Sequence, residues 1–359
     1  MKIAKLFFLL MCFCYTAKAQ SIDKIQFILD SAYAKSVFYG NILITQNNKI
    51  LLEKSYGYAD AIKQKPLTNK NAFQVASISK QFTAYAIMIC QHKGLLHIDS
   101  LASKYIPTFP YKSICVKHLL NHSSGLPNFW DQIRPNLDTL KSNGNKEVLD
   151  YLIKHDMPLQ FEPGTKFQYC DIGYDFLANI IENVSGKTYQ VFLNETIFKP
   201  LKMKNTFAYM VTDISKIHNK SLAIGHTLVN GKLEYAHLQP QYNFVSYLGN
   251  FYGDGSMVTT AKDLALWSYA LKNCTLLPCQ FQALTMDSSI FVRENINYGF
   301  GWFVKNTNRG KLIYHTGGHP GNVHVMYRIP EKDITFIFLS NAETNNLRAI
   351  RNSILDLLN

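Results

Sequence analysis

The placement of strand-like runs most limits how this chain can fold: they stand at both ends, and helical patterns fill the middle. Near the start, Asn41 to Thr45 and Ile50 to Ser55 are β-rich runs either side of a Gln46-Asn47-Asn48 turn, which reads as a hairpin. Near the end, Lys311 to His315, Val323 to Ile329 and Ile334 to Leu339 read as strands, with the turn Pro330-Glu331-Lys332-Asp333 joining the last two. Each end also carries a helix. Ile22, Ile25, Ile28, Leu29 and Ala32 stand at helical spacing, and Leu347, Ile350, Ile354 and Leu357 share one helical face.

Residues 78–93 form a mostly apolar helix closed by Gly94. A second helix runs from about 172 to 184 before Ser185-Gly186, and Thr260-Ala261-Lys262-Asp263 opens a third with a capping-box pattern. Strands gathered at the two termini, without helices alternating between them, pair into an antiparallel sheet, not a run of βαβ units. The expected fold class is therefore α+β. An antiparallel sheet from both termini (about 20–76 and 290–359) is flanked by helices, with a mainly helical region (about 77–289) inserted. No repeat or linker divides residues 20–359, which are expected to form one domain.

Residues 1–19 read as a signal peptide. Lys2 and Lys5 precede a short apolar run from Leu6 to Tyr15, and Ala17-Lys18-Ala19 supplies small residues for cleavage after Ala19. A periplasmic or secreted location follows. The apolar run is too short to span a bilayer, and no later stretch is long enough, so no membrane span is expected after cleavage. Losing Lys2, Lys5 and Lys18 lowers the formal net charge from +12 to +9, an excess able to attract an anionic envelope polymer. No basic block interleaved with aromatics suggests nucleic acid. The expected partner is a small-molecule or peptide substrate of the cell envelope, and the expected state is a monomer.

Cys90, Cys115, Cys170, Cys274 and Cys279 remain after cleavage. An odd number in an exported chain leaves at least one thiol free, and Cys274 with Cys279 can close a small loop if their geometry allows.

The chemistry concentrates in three short motifs. Ser77-Ile78-Ser79-Lys80 opens the apolar helix, and positions i and i+3 share a helical face, so the Lys80 amine can reach the Ser77 hydroxyl. A serine needs a base to become nucleophilic, and a desolvated lysine with a lowered pKa can serve. The helix N-terminus adds positive potential where an oxyanion would develop. Tyr169-Cys170-Asp171 follows Glu162-Pro163-Gly164, and a tyrosine beside a Ser–Lys pair can relay the proton if Lys80 depresses its pKa. His315-Thr316-Gly317-Gly318 ends a strand, where an exposed edge can pair with a peptide-like substrate and glycine admits close approach. His118 and His122 have zinc-helix spacing but lack the acid after the first histidine, so no metal and no cofactor is expected. Gly125, followed by Pro127, reads as the end of a helix.

In this order and at these separations the motifs resemble the serine β-lactamase and DD-peptidase superfamily, specifically its class C β-lactamase-related branch. The resemblance covers nearly all of residues 22–358. It extends to Phe73-Gln74-Val75-Ala76, Gln81-Phe82-Thr83-Ala84, the run from His118 to Pro127, Gly253-Asp254-Gly255 and Tyr298-Gly299-Phe300-Gly301-Trp302. It implies that Ser77 is the acylated nucleophile, Lys80 its base partner and Tyr169 the proton relay. The backbone N–H groups of Ser77 and Gly318 would form the oxyanion hole, and Asp171, His315, Thr316 and Gly317 would line the substrate site.

Two positions depart from the family pattern. Asp171 stands where asparagine is usual, so it either pairs with Lys80 and weakens the base or is held protonated. His315 replaces the usual class C lysine and attracts a carboxylate less strongly. The implied activity is that of a serine hydrolase acting on a β-lactam or a D-amino-acid-containing peptide. The alternatives are a small-ester esterase and a penicillin-binding sensor that acylates without turnover.

Overall fold

The first hairpin forms where the sequence places it. Strand β1 (Gly40–Gln46) turns through Asn47 and Asn48, both at positive φ, into β2 (Lys49–Tyr56). Asparagine tolerates the left-handed conformation that a two-residue turn demands. The structure is a computed structural model and describes residues 20–209, 221–286 and 290–358. The leader segment 1–19, with its expected cleavage after Ala19, lies outside the described residues.

The remaining large-sheet strands come from the other end of the chain: β3 (Ile290–Arg293), β4 (Ile296–Tyr298), β5 (Phe303–Thr307), β6 (Gly310–His319), β7 (Asn322–Ile329) and β8 (Ile334–Ser340). Their order across the sheet is β3-β4-β5-β6-β7-β8-β1-β2. Every pairing is antiparallel. The two ends of the chain meet where β1 pairs β8, with Ile42 opposite Phe338 and Ile44 opposite Phe336.

Strand β8 is buried along its whole length because both sheet faces are covered. Phe336 and Phe338 face the terminal helices α1 (residues 20–34) and α7 (Leu347–Leu358), where they join Ile25, Leu29 and Ile354. Ile337 and Leu339 face the inserted region and join a cluster that includes Phe82, Tyr85 and Trp267.

Among the described residues the inserted region includes α2 (Lys80–His92), α3 (Val116–Leu120), α4 (Asn145–His155), α5 (Asp171–Ser185) and α6 (Ala261–Lys272). Helix α2 is buried from Lys80 through Cys90, as expected for a helix apolar on most of its surface. A small three-stranded sheet pairs Phe73–Gln74 with Met257–Thr259, and the latter with Phe207–Ala208. It places the segment before Ser77 beside the 253–255 loop.

Two expectations need adjustment. Helix α3 ends at Leu120 and His122 adopts positive φ, so Gly125 lies beyond the helix and does not terminate it. Strands β3, β4 and β5 extend one end of the sheet, with β3 at its edge, and the pattern of alternation did not reveal them. Cys274 and Cys279 form a disulfide, while Cys90, Cys115 and Cys170 are free. Among the described residues no helix is long and apolar enough to cross a membrane.

Candidate active site

Ser77 sits on a single 3₁₀ turn (Ala76–Ser79) that runs directly into α2. Ala76 holds φ at 47°, a left-handed conformation that costs an alanine on the order of 1 kcal/mol or more. The preceding backbone is pinned by a 3.0 Å hydrogen bond from the Val75 N–H to the Met257 carbonyl. The β6 backbone then closes on it. A Cβ on Gly317 would lie 2.1 Å from the Val75 carbonyl oxygen, so only glycine permits this approach.

Lys80 is completely buried, and its ammonium has three acceptors: Ser77 Oγ at 3.1 Å, Asp171 Oδ1 at 2.7 Å and the Asp254 carbonyl at 3.0 Å. The Asp254 carboxylate stands 4.0 Å away, and the Tyr169 ring centroid lies 5.0 Å from the nitrogen. Burial alone would pull Lys80 down. Asp171, with Tyr169 and Asp254, outweighs that and holds the amine well above its ordinary value. The resting lysine is therefore an ammonium, not the depressed free base that the sequence pattern suggests. Of the two expectations for Asp171, pairing with Lys80 is the one realised.

Burial works to raise Asp171, but Lys80 and the Trp130 indole N–H, donating at 3.2 Å, hold it below the usual range. Tyr169 is pushed up to about 12: its burial dominates, although Lys80 and Ser77 both favour the phenolate. Its ring packs 4.2 Å from His122, which is fully buried and accepts the Cys170 backbone N–H at Nδ1. His122 thus supports the tyrosine wall. The Cys170 thiol is pushed up to about 12 by burial and faces no activating charge strong enough to reverse it.

His315 does not open onto the cleft. It is buried, its Nε2 lies 3.0 Å from the Tyr298 hydroxyl and its Nδ1 lies 2.7 Å from the Thr316 carbonyl. Burial, reinforced by Lys80, lowers its pKa to about 3, so it is neutral. As a carboxylate-binding residue it is misplaced: the ring is part of the aromatic wall formed with Tyr169, Tyr298 and Phe303. Gly317 is buried against the nucleophile's turn, Thr316 is half-buried, and Gly318 is exposed with open space where a Cβ would be. Strand β5 pairs with β6 only as far as Tyr314, opposite Phe303. Beyond it no strand pairs with the outer edge of β6 among the described residues.

The resulting cleft has a volume of about 400 Å³ and is lined by Ser77, Asp171, Gly318 and the side chains of Phe129, Trp130 and Phe251. Three further lining acids, Asp175, Asp254 and Glu343, carried no role assigned from the motifs. Asp175 stands four residues after Asp171 on α5 and so on the same helical face, a spacing that could have flagged it. Trp130 lies on an irregular turn (Phe129–Ile133) for which the sequence offers no periodic signal.

A family model described as Beta-lactamase matches residues 36–358. A penicillin-binding protein of Bacillus subtilis (strain 168) is 31% identical over 333 residues, covering 89% of this chain and 71% of its own length. Protein flp of Staphylococcus aureus (strain MW2) is 28% identical over 84% of this chain, which spans 59% of that protein's length. Among solved structures, the octameric penicillin-binding protein homologue from Pyrococcus abyssi superposes with a TM-score of 0.80 at 25% identity. That match covers 94% of this chain and 77% of the other. The D-amino acid amidase from Ochrobactrum anthropi SV3 shares the fold, with a TM-score of 0.76 at 24% identity over 94% and 99% of the two chains.

Proposed function

The chain belongs to the beta-lactamase family of serine hydrolases, and from that premise we propose that Ser77 forms an acyl-enzyme with small amides or esters, D-amino-acid-containing ones first. One observation carries the reading: a buried lysine bonded to the serine hydroxyl at 3.1 Å, on the wall of a cleft the serine itself lines.

The Ser77 oxygen attacks the substrate carbonyl while its proton passes to the Lys80–Tyr169 unit, which must first have given up a proton of its own. The N–H groups of Ser77 and Gly318 would hold the oxyanion, with the helix N-terminus adding positive potential. The C–N or C–O bond then breaks, and Tyr169 returns the proton to the departing amine or alcohol. Water attacks the Ser77 ester, releasing the acid and restoring the hydroxyl.

The charges of the cleft favour acyl donors without a carboxylate beside the scissile bond. Its acidic lining residues are Asp171, Asp175, Asp254 and Glu343, with no lysine or arginine lining it among the described residues. The relatives named penicillin-binding proteins favour a second reading, in which a β-lactam or a D-amino-acid peptide acylates Ser77 with or without rapid turnover. The basic, apolar and small-residue segments of the leader support a periplasmic or secreted location and so an envelope substrate.

Intact mass of residues 20–359 followed over time with p-nitrophenyl acetate and with a penicillin tests this. A transient acetyl adduct on Ser77 with release of nitrophenol supports the proposal. A lasting penicillin adduct moves the protein to the sensor reading. Drug consumed with a transient adduct makes it a β-lactamase, and no adduct with either reagent overturns the hydrolase reading.

A further inference from the structure

The Asp171 carboxylate has two oxygens, and each has its own donor. Oδ1 accepts from the Lys80 ammonium at 2.7 Å, and Oδ2 accepts from the Trp130 indole N–H at 3.2 Å. A carboxylate can serve both because it only accepts, whereas an asparagine would turn its own N–H₂ toward one of them. The departure from asparagine at this position therefore creates a contact between the base's counter-ion and a residue of the cleft wall.

The turn that carries Trp130 is braced to keep the indole in place. Asn128 Oδ1 caps it by accepting the Asp131 N–H at 3.1 Å, and the Asn128 N–H donates to Gln132 Oε1 at 2.8 Å. Phe129 is buried, with its ring 5.2 Å from that of Phe251. Trp130 itself is 41% exposed, yet its ring is fixed on two sides. Phe244 packs edge-on at 5.3 Å, and the Arg134 guanidinium lies 5.4 Å from the ring centroid. These packing contacts need an aromatic ring but not its N–H. The bond to Asp171 alone needs a tryptophan. It matters because burial opposes the charge on Lys80, and Asp171 is the largest of the influences that outweigh it. A carboxylate shared with a second donor holds an ammonium less tightly, and in a buried site water does not screen the competition.

We infer that Trp130 is a positioning residue for acylation: its indole N–H draws Asp171 away from Lys80, and so sets how readily the Ser77–Lys80–Tyr169 unit gives up its resting proton. This rests on the hydrolase reading and adds the control of the base to it. Other titratable groups face the same pair. Asp175 shares α5 with Asp171, Asp254 comes from the 253–255 loop, and His122 and His315 are buried and neutral. Arg134 and Asp131 stand on the tryptophan's own turn. A comparison made with and without the Asp171 carboxylate holds all of these constant.

Trp130→Phe keeps the ring and removes the N–H. The pH profile of kcat/KM for p-nitrophenyl acetate is measured for wild type, Trp130→Phe, Asp171→Asn and the double variant. Trp130→Phe is expected to lower kcat/KM near neutrality on the order of 3–10-fold and to displace the alkaline climb upward by up to about one pH unit. In the Asp171→Asn background the same substitution should change it by less than about 2-fold, because the carboxylate through which the indole acts is gone. An unmoved profile overturns the inference. So does an equal loss in both backgrounds, which would mean that the ring only shapes the cleft. A second readout needs no turnover. With the three tryptophans labelled with nitrogen-15, the indole resonance lost in Trp130→Phe identifies Trp130. Asp171→Asn should move that resonance upfield and leave the buried Trp302 where it was. A Trp130 resonance that stays put overturns the inference. Absent turnover with the resonance shift present overturns only the hydrolase reading.

Discussion

The two faces of the large sheet are packed to opposite specifications. Toward α1 and α7, Phe38, Phe336 and Phe338 meet Ile25, Leu29 and Ile354 in a cluster of apolar and aromatic side chains. Beyond the other face, the inserted region buries Lys80 completely and holds Asp175, 1% exposed, against the Asp254 carboxylate. The first face gains free energy from every methylene it hides. The second gives some back to keep charges out of water, where their interactions with substrate are strong. Stability and chemistry are thus assigned to different sides of one sheet, and substitutions on the two sides should fail in different ways.

The sharpest break is at the nucleophile. Ser77→Ala should abolish acylation, a loss of at least about 1,000-fold, while the thermal midpoint stays near wild type. Residual labelling in that variant would show that another residue is the nucleophile. The converse break lies behind the sheet. Phe338, whose ring centroid is 4.8 Å from that of Phe38, should cost about 3–5 kcal/mol when replaced by alanine, measured by denaturant unfolding. The folded fraction should keep its activity per molecule. A loss of turnover larger than the loss of folded protein would mean the two faces are coupled.

A finer test addresses the resting proton. Both Lys80 and Tyr169 stand above neutrality, so the base form grows as pH rises and kcat/KM should climb through the alkaline range. Asp171→Asn removes the anion that holds the Lys80 proton. The climb should then begin at lower pH, raising activity near neutrality several-fold. A profile that does not move would remove Asp171 from control of the base.

The smallest effect concerns Asp175. Its carboxyl lies well above the ordinary range, because of burial and then Asp254, so the folded state favours the protonated form. Its contribution is most favourable below the ordinary carboxylate range and is lost as pH rises toward the folded value. Asp175→Asn should therefore raise the melting midpoint by roughly 2–4 °C at about pH 8 and change it little near pH 4. A gain that is the same at both values would mean that ionisation is not the cause.

Much of this was legible from local pattern. The β1–β2 hairpin, strands β6 to β8 and helices α1, α2, α5, α6 and α7 all carry strong periodicity or turn chemistry, and they stand where it puts them. Ser77, Lys80, Tyr169 and Asp171 are brought together as their motifs imply. What escaped was set by tertiary context. Strands β3 to β5, at one end of the sheet, are short and their apolar alternation is weak. His315 sits on the expected strand, but its burial against Tyr298 comes from a neighbour 17 residues away and cannot be read locally. The protonation of Lys80 depends on Asp254 as well as Asp171, and Asp254 is 174 residues distant.

The junction between β1 and β8 has a consequence for how the molecule is made. Ile42 is synthesised well before its partner Phe338, with the whole inserted region between them in the chain. Until then both edges of the β1–β2 hairpin are open, and an isolated hairpin is at best marginally stable in water. Closing so long a loop carries a large entropic cost before any contact repays it, which makes folding slow and leaves apolar strand edges exposed meanwhile. The molecule's architecture therefore delays its own completion: the sheet that anchors the nucleophile can be finished only after the whole inserted region between its two halves has been made.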